Sequence, residues 1–338
     1  MPAMLKSKKF WGILSSFFFL WLALRKVDWK TVPEIFARLD LWLIILICVS
    51  YTFEHLMRAW RWQAILPDRP LHFKSAYFGI VLGYLFNNLL PARAGEFVRA
   101  FYLKRCEVAP ASEAFGSVVF ERFLDGLVII TLIVFSLWYF PGNSLVQKAS
   151  ASAIVFYFLV LIAILLLQFK RRLFEKLTRR FFDLFPEKIS SRLHGSRESF
   201  INGLALIARP RLFFKAACLS AISWAFSILT VYICMQMFQL DMGFAEAALL
   251  ICVLSIGSMI PTSPGMIGIY QFCAVLVLNG ILGESKEVAG LYGIISHSIG
   301  YLYVLAVGFA ILAYEGLSLS DLSRGKSSAK TETLTLKP

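Results

Sequence analysis

The sequence predicts an all-α polytopic membrane protein, with about six full spans plus two re-entrant broken-helix hairpins arranged as an inverted repeat. Three observations predict it. Of 338 residues, 58% are hydrophobic and only 16% charged, with a mean hydropathy of +0.70, a balance foreign to soluble domains. Apolar runs of spanning length recur along the chain, separated by short polar loops. Two of these runs break at similarly spaced residues, Pro91 with Gly95 and Pro261 with Gly265. Eight or nine ordinary spans are the alternative arrangement of the same runs.

Lys6, Lys8 and Lys9 precede an apolar run at 10–24 that ends on Arg25 and Lys26. No small-residue cleavage site follows, so an uncleaved first span with the amino terminus inside is expected. Residues 41–62 form the second span. Its last turns carry Glu54, Arg58 and Arg61 on one helical face, beside Trp60 and Trp62. That cluster reads either as an interfacial belt or as the charged lining of a cavity.

The third run, 75–90, is uncharged. It leads through Asn87, Asn88, Pro91, Arg93, Gly95, Glu96 and Arg99, where a plain span would carry leucines. Irregular backbone and charge at membrane depth survive only where protein or a water-filled cavity covers them. The span at 115–140 opens with Glu121, Arg122 and Asp125. Glu121 and Asp125 share a face and need cations, whereas Arg122 lies about 100° round the helix from Glu121. One helix therefore does not neutralise itself, and pairing across helices with Arg93 or Arg99 is expected.

A span at 149–168 is followed by the loop 170–197, which holds nine Lys or Arg mixed with aromatic residues at helical spacing. It is expected to lie as an amphipathic helix on the anionic inner leaflet, with a calmodulin-like target helix as the weaker alternative. After the span at 213–238, residues 247–283 run without a charge. A single helix of that length would measure roughly 55 Å against a hydrocarbon core of ~30 Å. Pro261, Pro264, Gly265 and Gly268 mark where it breaks. The last span is 288–314, and the polar tail 318–338 is expected to be disordered and cytoplasmic.

A shift of 170 residues lays Pro91 on Pro261 and Gly95 on Gly265, and carries their flanking spans onto each other. The chain thus divides into repeat units at about 41–140 and 211–310 within one integral domain, 1–317. The extra span at 149–168 inverts the second unit, so the hairpins enter from opposite leaflets and meet near the midplane, as in many transporters. Half-helices after Pro91 and Pro264 would point their positive ends inward, toward an anion. Basic residues at Lys6–Lys9, Arg58–Lys74, Lys104–Arg105 and in the 170–197 loop place both termini on the cytoplasmic side, against the trend of Arg25, Lys26, Lys30 and Arg38.

The charge balance is +13, from 34 Lys and Arg against 21 Asp and Glu. Beside apolar spans this reports topology and anionic lipid, not nucleic acid. The six cysteines and four histidines show no metal-ligand spacing, and no nucleotide-binding loop occurs. No metal, cofactor or nucleotide is expected. The buried charges admit two readings, a structural ion-pair network or an arginine site gripping a lipid phosphate.

The pattern N-x2-P-x-R-x-G-E-x2-R at Asn88, Pro91, Arg93, Gly95, Glu96 and Arg99 resembles the lysylphosphatidylglycerol synthase transmembrane-region family. Supporting it are R-x2-R-W at Arg58, Arg61 and Trp62, E-R-x2-D at Glu121, Arg122 and Asp125, and P-x2-P-G-x2-G from Pro261 to Gly268. The resemblance covers residues from about 10 to 315. It implies a flippase-like membrane domain, which in the larger synthases moves aminoacylated phosphatidylglycerol between leaflets. Those synthases follow it with a soluble aminoacyl-transferase domain. Here a short polar tail follows, so synthase activity is not expected. The expected function is movement of an anionic phospholipid or polyprenyl-phosphate-linked lipid across an inner (cytoplasmic) membrane. The expected partners are lipids with anionic headgroups, the anionic inner-leaflet surface and a cell-envelope lipid synthase. A membrane-embedded lipid-modifying transferase, or a non-transporting partner of such a synthase, are the alternatives.

Overall fold

The computed structural model describes residues 17–90, 94–142, 209–260 and 264–319, with a few single positions between 147 and 162. The described residues are helical, without strands. Residues 17–24 form the described part of the first span. The labelled helices are α1 (Val32–Ala37), α2 (Leu43–Ile65), α3 (Phe73–Leu89), α4 (Gly95–Arg105), α5 (Ala111–Tyr139), α6 (Pro210–Met237), α7 (Phe244–Gly257), α8 (Ile269–Leu278) and α9 (Lys286–Tyr314). A 3-10 turn, Pro264–Met266, precedes α8. The basic loop 170–197 and the tail beyond 319 lie outside the described residues, as does most of the span at 149–168.

Proline sets several boundaries. Leu66, Leu90 and Phe140 close α2, α3 and α5 in non-helical conformations, and each precedes a proline whose ring disfavours the helical region for its neighbour. Pro210 opens α6, where a missing N–H costs nothing. Ser285 caps α9 by accepting from Val288 N at 3.2 Å. Among the described residues, three helices, α2, α6 and α9, are long and apolar enough by length and composition to cross a membrane. Large apolar side chains such as Phe214 and Leu302 stand exposed on them, as lipid-facing positions should.

The centre of the fold is the pair α2 and α6. Asp40 N donates to Met237 O at 3.1 Å, Ser50 Oγ to Phe226 O at 3.0 Å, and Arg61 Nη1 to Ser220 Oγ at 2.8 Å. Numbers rise along one helix as they fall along the other, so the two run antiparallel. The shift of 170 makes Ser50 and Ser220 equivalent. Ser50 meets Thr230 and Ser220 meets Arg61, close to reciprocal contacts about a two-fold axis. The same shift carries Phe73–Leu89 to 243–259, where α7 stands at Phe244–Gly257, and Ala111–Tyr139 to 281–309, where α9 stands at Lys286–Tyr314. The repeat predicted from two Pro–Gly breaks is thus a repeat of helices, with the central pair opposed.

Each unit contains a hairpin, α3 with α4 and α7 with α8. The helices of the first approach closely because both carry glycine at the crossing. A Cβ on Gly95 would run into the carbonyl oxygen of Gly83, and Gly95 N donates to Asn87 Oδ1 at 2.9 Å. In the second, Gly257 faces Cys273 Sγ. Each hairpin leans on the long last helix of the other unit, α3 on α9 and α7 on α5. The hairpin ends meet. Tyr301 Oη donates to the carbonyl oxygen of Asn88 at 3.5 Å, and Gly265, at φ +73°, lies beside the same oxygen. The half-helices begin later than the prolines predict, at Gly95 and Ile269. Pro91, Pro261 and Arg93 fall outside the described residues.

Candidate functional site

The C-terminal half of α2, the start of α4 and the first half of α5 place four arginines and four carboxylates together. The i, i+4, i+7 spacing on α2 turns Glu54, Arg58 and Arg61 to one face. Arg58 binds Glu54 with Nη2 at 2.8 Å and Nε at 2.9 Å. Arg61 Nη1 reaches Asp125 Oδ1 on α5 at 2.6 Å, and its Nη2 stands 3.4 Å from Glu121. Arg99, projecting from α4, meets Glu121 Oε2 at 2.6 Å, while its guanidinium lies 4.1 Å over the Trp62 ring.

Asp125 is the junction of the network. Beyond Arg61 it faces Arg122 at 3.3 Å and Arg58 at 3.9 Å, and it accepts from Trp224 Nε1 at 3.0 Å. The chain of charges runs Arg99, Glu121, Arg61, Asp125, Arg122 and Glu96, with Arg58 and Glu54 as a branch. Four positive and four negative groups balance formally, which is what makes burial of this many charges tolerable. The tight contacts lie inside, where Arg61 and Glu121 are fully buried. The looser end is Arg122 with Glu96, 3.9 Å apart, whose side chains are 36% and 23% exposed.

Cross-helix pairing of Glu121 and Asp125 is present, through Arg99 as expected and also through Arg61. The expectation that α5 does not neutralise itself holds for Glu121, but the placing of Arg122 away from its carboxylates needs correction. Arg122 pairs with Asp125 on its own helix, because residues three apart lie only about 60° apart and a long guanidinium side chain spans that angle. Arg99 turns to Glu121 on the neighbouring helix. Asn87 clamps the hairpin through Gly95 N, and Asn88 offers its carbonyl to Tyr301. Both asparagines, placed from the sequence among the lipid-binding residues, thus shape the first hairpin here. Outside the network, Arg69 grips both carboxylate oxygens of Glu113 at 2.8 and 2.5 Å, pinning the start of α5 to the loop after α2.

Sequence reasoning missed Ser220 and Trp224, which sit on an apolar span without a charge to draw notice. The repeat itself carries the signal, since the shift of 170 lays Trp224 on Glu54 and Ser220 on Ser50. The same shift lays Arg58 on Ile228, Arg61 on Val231, Arg99 on Ile269, Glu121 on Leu291 and Asp125 on Ile295. The helices therefore recur at this shift while the charges of the site are confined to one unit. Because the Trp224 hydrogen bond goes to an ionised acceptor, Trp224→Phe is expected to lower the unfolding free energy by about 1.5–3 kcal/mol, measured by denaturation in detergent micelles.

These features define the membrane domain of a known class. The chain belongs to the family described as the lysylphosphatidylglycerol synthase TM region, matched over residues 9–308. It is 23% identical over 256 residues to a UPF0104 membrane protein of Methanothermobacter thermautotrophicus, covering 72% of this chain and 75% of that one. A UPF0104 membrane protein of Methanocaldococcus jannaschii is 25% identical over 173 residues, 49% of this chain and 52% of the relative. The glycosyltransferase AglD of Haloferax volcanii is 20% identical over 343 residues, covering 91% of this chain and 54% of AglD, so the chain spans about half of that relative. No solved structure matches.

Proposed function

We propose that this membrane protein moves an anionic phospholipid or a polyprenyl-phosphate-linked lipid between the leaflets of the cytoplasmic membrane, without chemically altering it. Both termini face the cytoplasm in this reading, and the anionic inner leaflet and a cell-envelope lipid synthase are its partners. The observation that carries it is a buried, balanced ion network with one loose, partly exposed pair, Arg122 and Glu96, at its edge. A lipid phosphate offers the same charge and a similar acceptor geometry to a carboxylate. It can therefore replace Glu96 at Arg122 while the inner pairs hold, and the acyl chains stay in the bilayer. Release follows when Glu96 re-pairs. The sequence-predicted Arg93, two residues before the start of α4, is assigned to the same headgroup contact.

Leaflet-resolved movement of phosphatidylglycerol, aminoacyl-phosphatidylglycerol and polyprenyl-phosphate probes in reconstituted vesicles tests this. The wild type is expected to move at least one probe, and Arg122→Gln, Glu96→Gln and Arg93→Ala to slow it by about tenfold or more. Wild-type vesicles that move none of the probes overturn the reading. A second reading draws on the name of the AglD relative, a glycosyltransferase. Conversion of a lipid-linked sugar by the purified protein in detergent, with no second leaflet present, would favour it.

A further inference from the structure

Two neighbouring residues of α3 border the charged network. A Cβ on Gly83 would lie 2.6 Å from Arg99 Cγ and Cδ, so α3 covers the network at that point. Tyr84 borders it at another. Its ring centroid lies 5.9 Å from the Arg58 guanidinium carbon, and the ring packs T-shaped with His55 at 5.0 Å. The phenol is within electrostatic reach of Arg122 as well as Arg58. Tyr84 is half-buried. Among the described residues its hydroxyl has no hydrogen-bond partner, and it is not sealed.

A largely enclosed tyrosine usually finds a partner for its O–H. Packing accounts for the ring, which fills space beside His55 and Arg58. It does not account for a hydroxyl near the open end of the network, where Arg122 and Glu96 are 36% and 23% exposed. The same place in the second unit holds Leu254, so the hydroxyl, like the charges, belongs to one unit. A phosphate ester captured by Arg122 presents more lone pairs on its non-bridging oxygens than one guanidinium fork uses. A neutral O–H beside the cation supplies the next hydrogen bond without adding a charge that must itself be balanced.

We propose that Tyr84 is a further headgroup-binding residue, its hydroxyl donating to a non-bridging oxygen of the lipid phosphate that Arg122 captures. The proposal rests on the transport reading and adds to that site a donor from α3. A phospholipid diester and a polyprenyl phosphate monoester offer the same chemistry at this position, and the test separates them.

Tyr84→Phe keeps the ring and removes the donor alone. Lipid movement in proteoliposomes is measured against the mole fraction of phosphatidylglycerol, or of polyprenyl phosphate, in a neutral lipid. Tyr84→Phe is expected to raise the half-saturating fraction by about tenfold or more, as losing a hydrogen bond to a charged acceptor should, and to leave the maximal rate within about twofold. Whether one probe or both show the shift tells which phosphate ester the site takes. Unfolding of Tyr84→Phe in detergent micelles is expected to match the wild type. In nanodiscs of neutral lipid, one tyrosine 13Cζ resonance, absent from Tyr84→Phe, is expected to shift when either probe that binds is added. If Tyr84→Phe does not fold, Tyr84→Leu, after the residue at the equivalent place in the second unit, assigns that resonance. A half-saturating fraction equal to that of the wild type overturns the proposal, as does a Tyr84 resonance that neither probe moves. Wild-type protein that moves neither probe sinks the transport reading instead, and the resonance alone then decides whether Tyr84 meets the phosphate.

Discussion

Glu121→Leu is expected to cost about 3–5 kcal/mol of stability, the range for removing one partner of a buried ion pair. Leucine is close to glutamate in volume, so little cavity forms and the loss is electrostatic. Glu121 is fully buried and serves two guanidiniums, Arg99 at 2.6 Å and Arg61 at 3.4 Å. Among the described residues Arg99 then keeps the Trp62 face alone, whereas Arg61 keeps Asp125 and Ser220. The double variant Arg99→Leu/Glu121→Leu should therefore recover much of the loss, because the stranded cation leaves with its partner. Unfolding of the four members of this double-mutant cycle in detergent micelles, followed by tryptophan fluorescence, measures the coupling. If Glu121→Leu unfolds with the wild type, the network contributes nothing to folding.

The confinement of these charges to one repeat unit bears on mechanism. In a transporter built from opposed units, the two hairpins can exchange roles, and a two-fold fold offers two equivalent positions for a ligand. Here, among the described residues, the charges of the site all belong to the unit holding α2, α4 and α5. Its counterpart supplies Ile228, Val231, Ile269, Leu291 and Ile295 at the positions of Arg58, Arg61, Arg99, Glu121 and Asp125. The second unit instead lends Ser220 and Trp224 to the first. Under the proposed transport, an anionic headgroup would thus meet one charged station rather than two.

Much of this was legible in the chain. Helical class followed from apolar runs, and the repeat from prolines and glycines, because both are properties of local sequence. The residues of the network were legible too, since charge inside an apolar run is conspicuous. Their partners were not. Whether Glu121 meets Arg93, Arg99 or Arg61 depends on how α2, α4 and α5 cross, and no period within a single helix encodes a crossing. The Arg122–Asp125 pair was hidden for a simpler reason. Weighing Arg122 against Glu121 alone gives 100° of separation, whereas its partner lies one turn further on.

Gly95→Ala is expected to cost about 3 kcal/mol or more, at the upper end for overpacking, since the added methyl meets backbone and not a yielding side chain. The nearest atom to that methyl is the carbonyl oxygen of Gly83, followed by Asn87 Oδ1 and the Gly83 carbonyl carbon. To admit it, α4 must move off α3. That breaks the 2.9 Å bond from Gly95 N to Asn87 and drags Arg99, one turn along α4, away from Glu121. One methyl group thereby opens the hairpin and unpairs the ion network. Gly243→Ala is the matched control. Its φ of −103° suits any residue and its nearest neighbour, Glu246 Oε2, lies at an ordinary 3.4 Å, so the change should cost only the N-cap preference of glycine over alanine, about 1 kcal/mol. Combining Gly95→Ala with Glu121→Leu should cost less than the two losses added together, because both unseat the same arginine. Full additivity would mean that the hairpin crossing and the ion network are energetically separate, and that the break organises the backbone without positioning the charges.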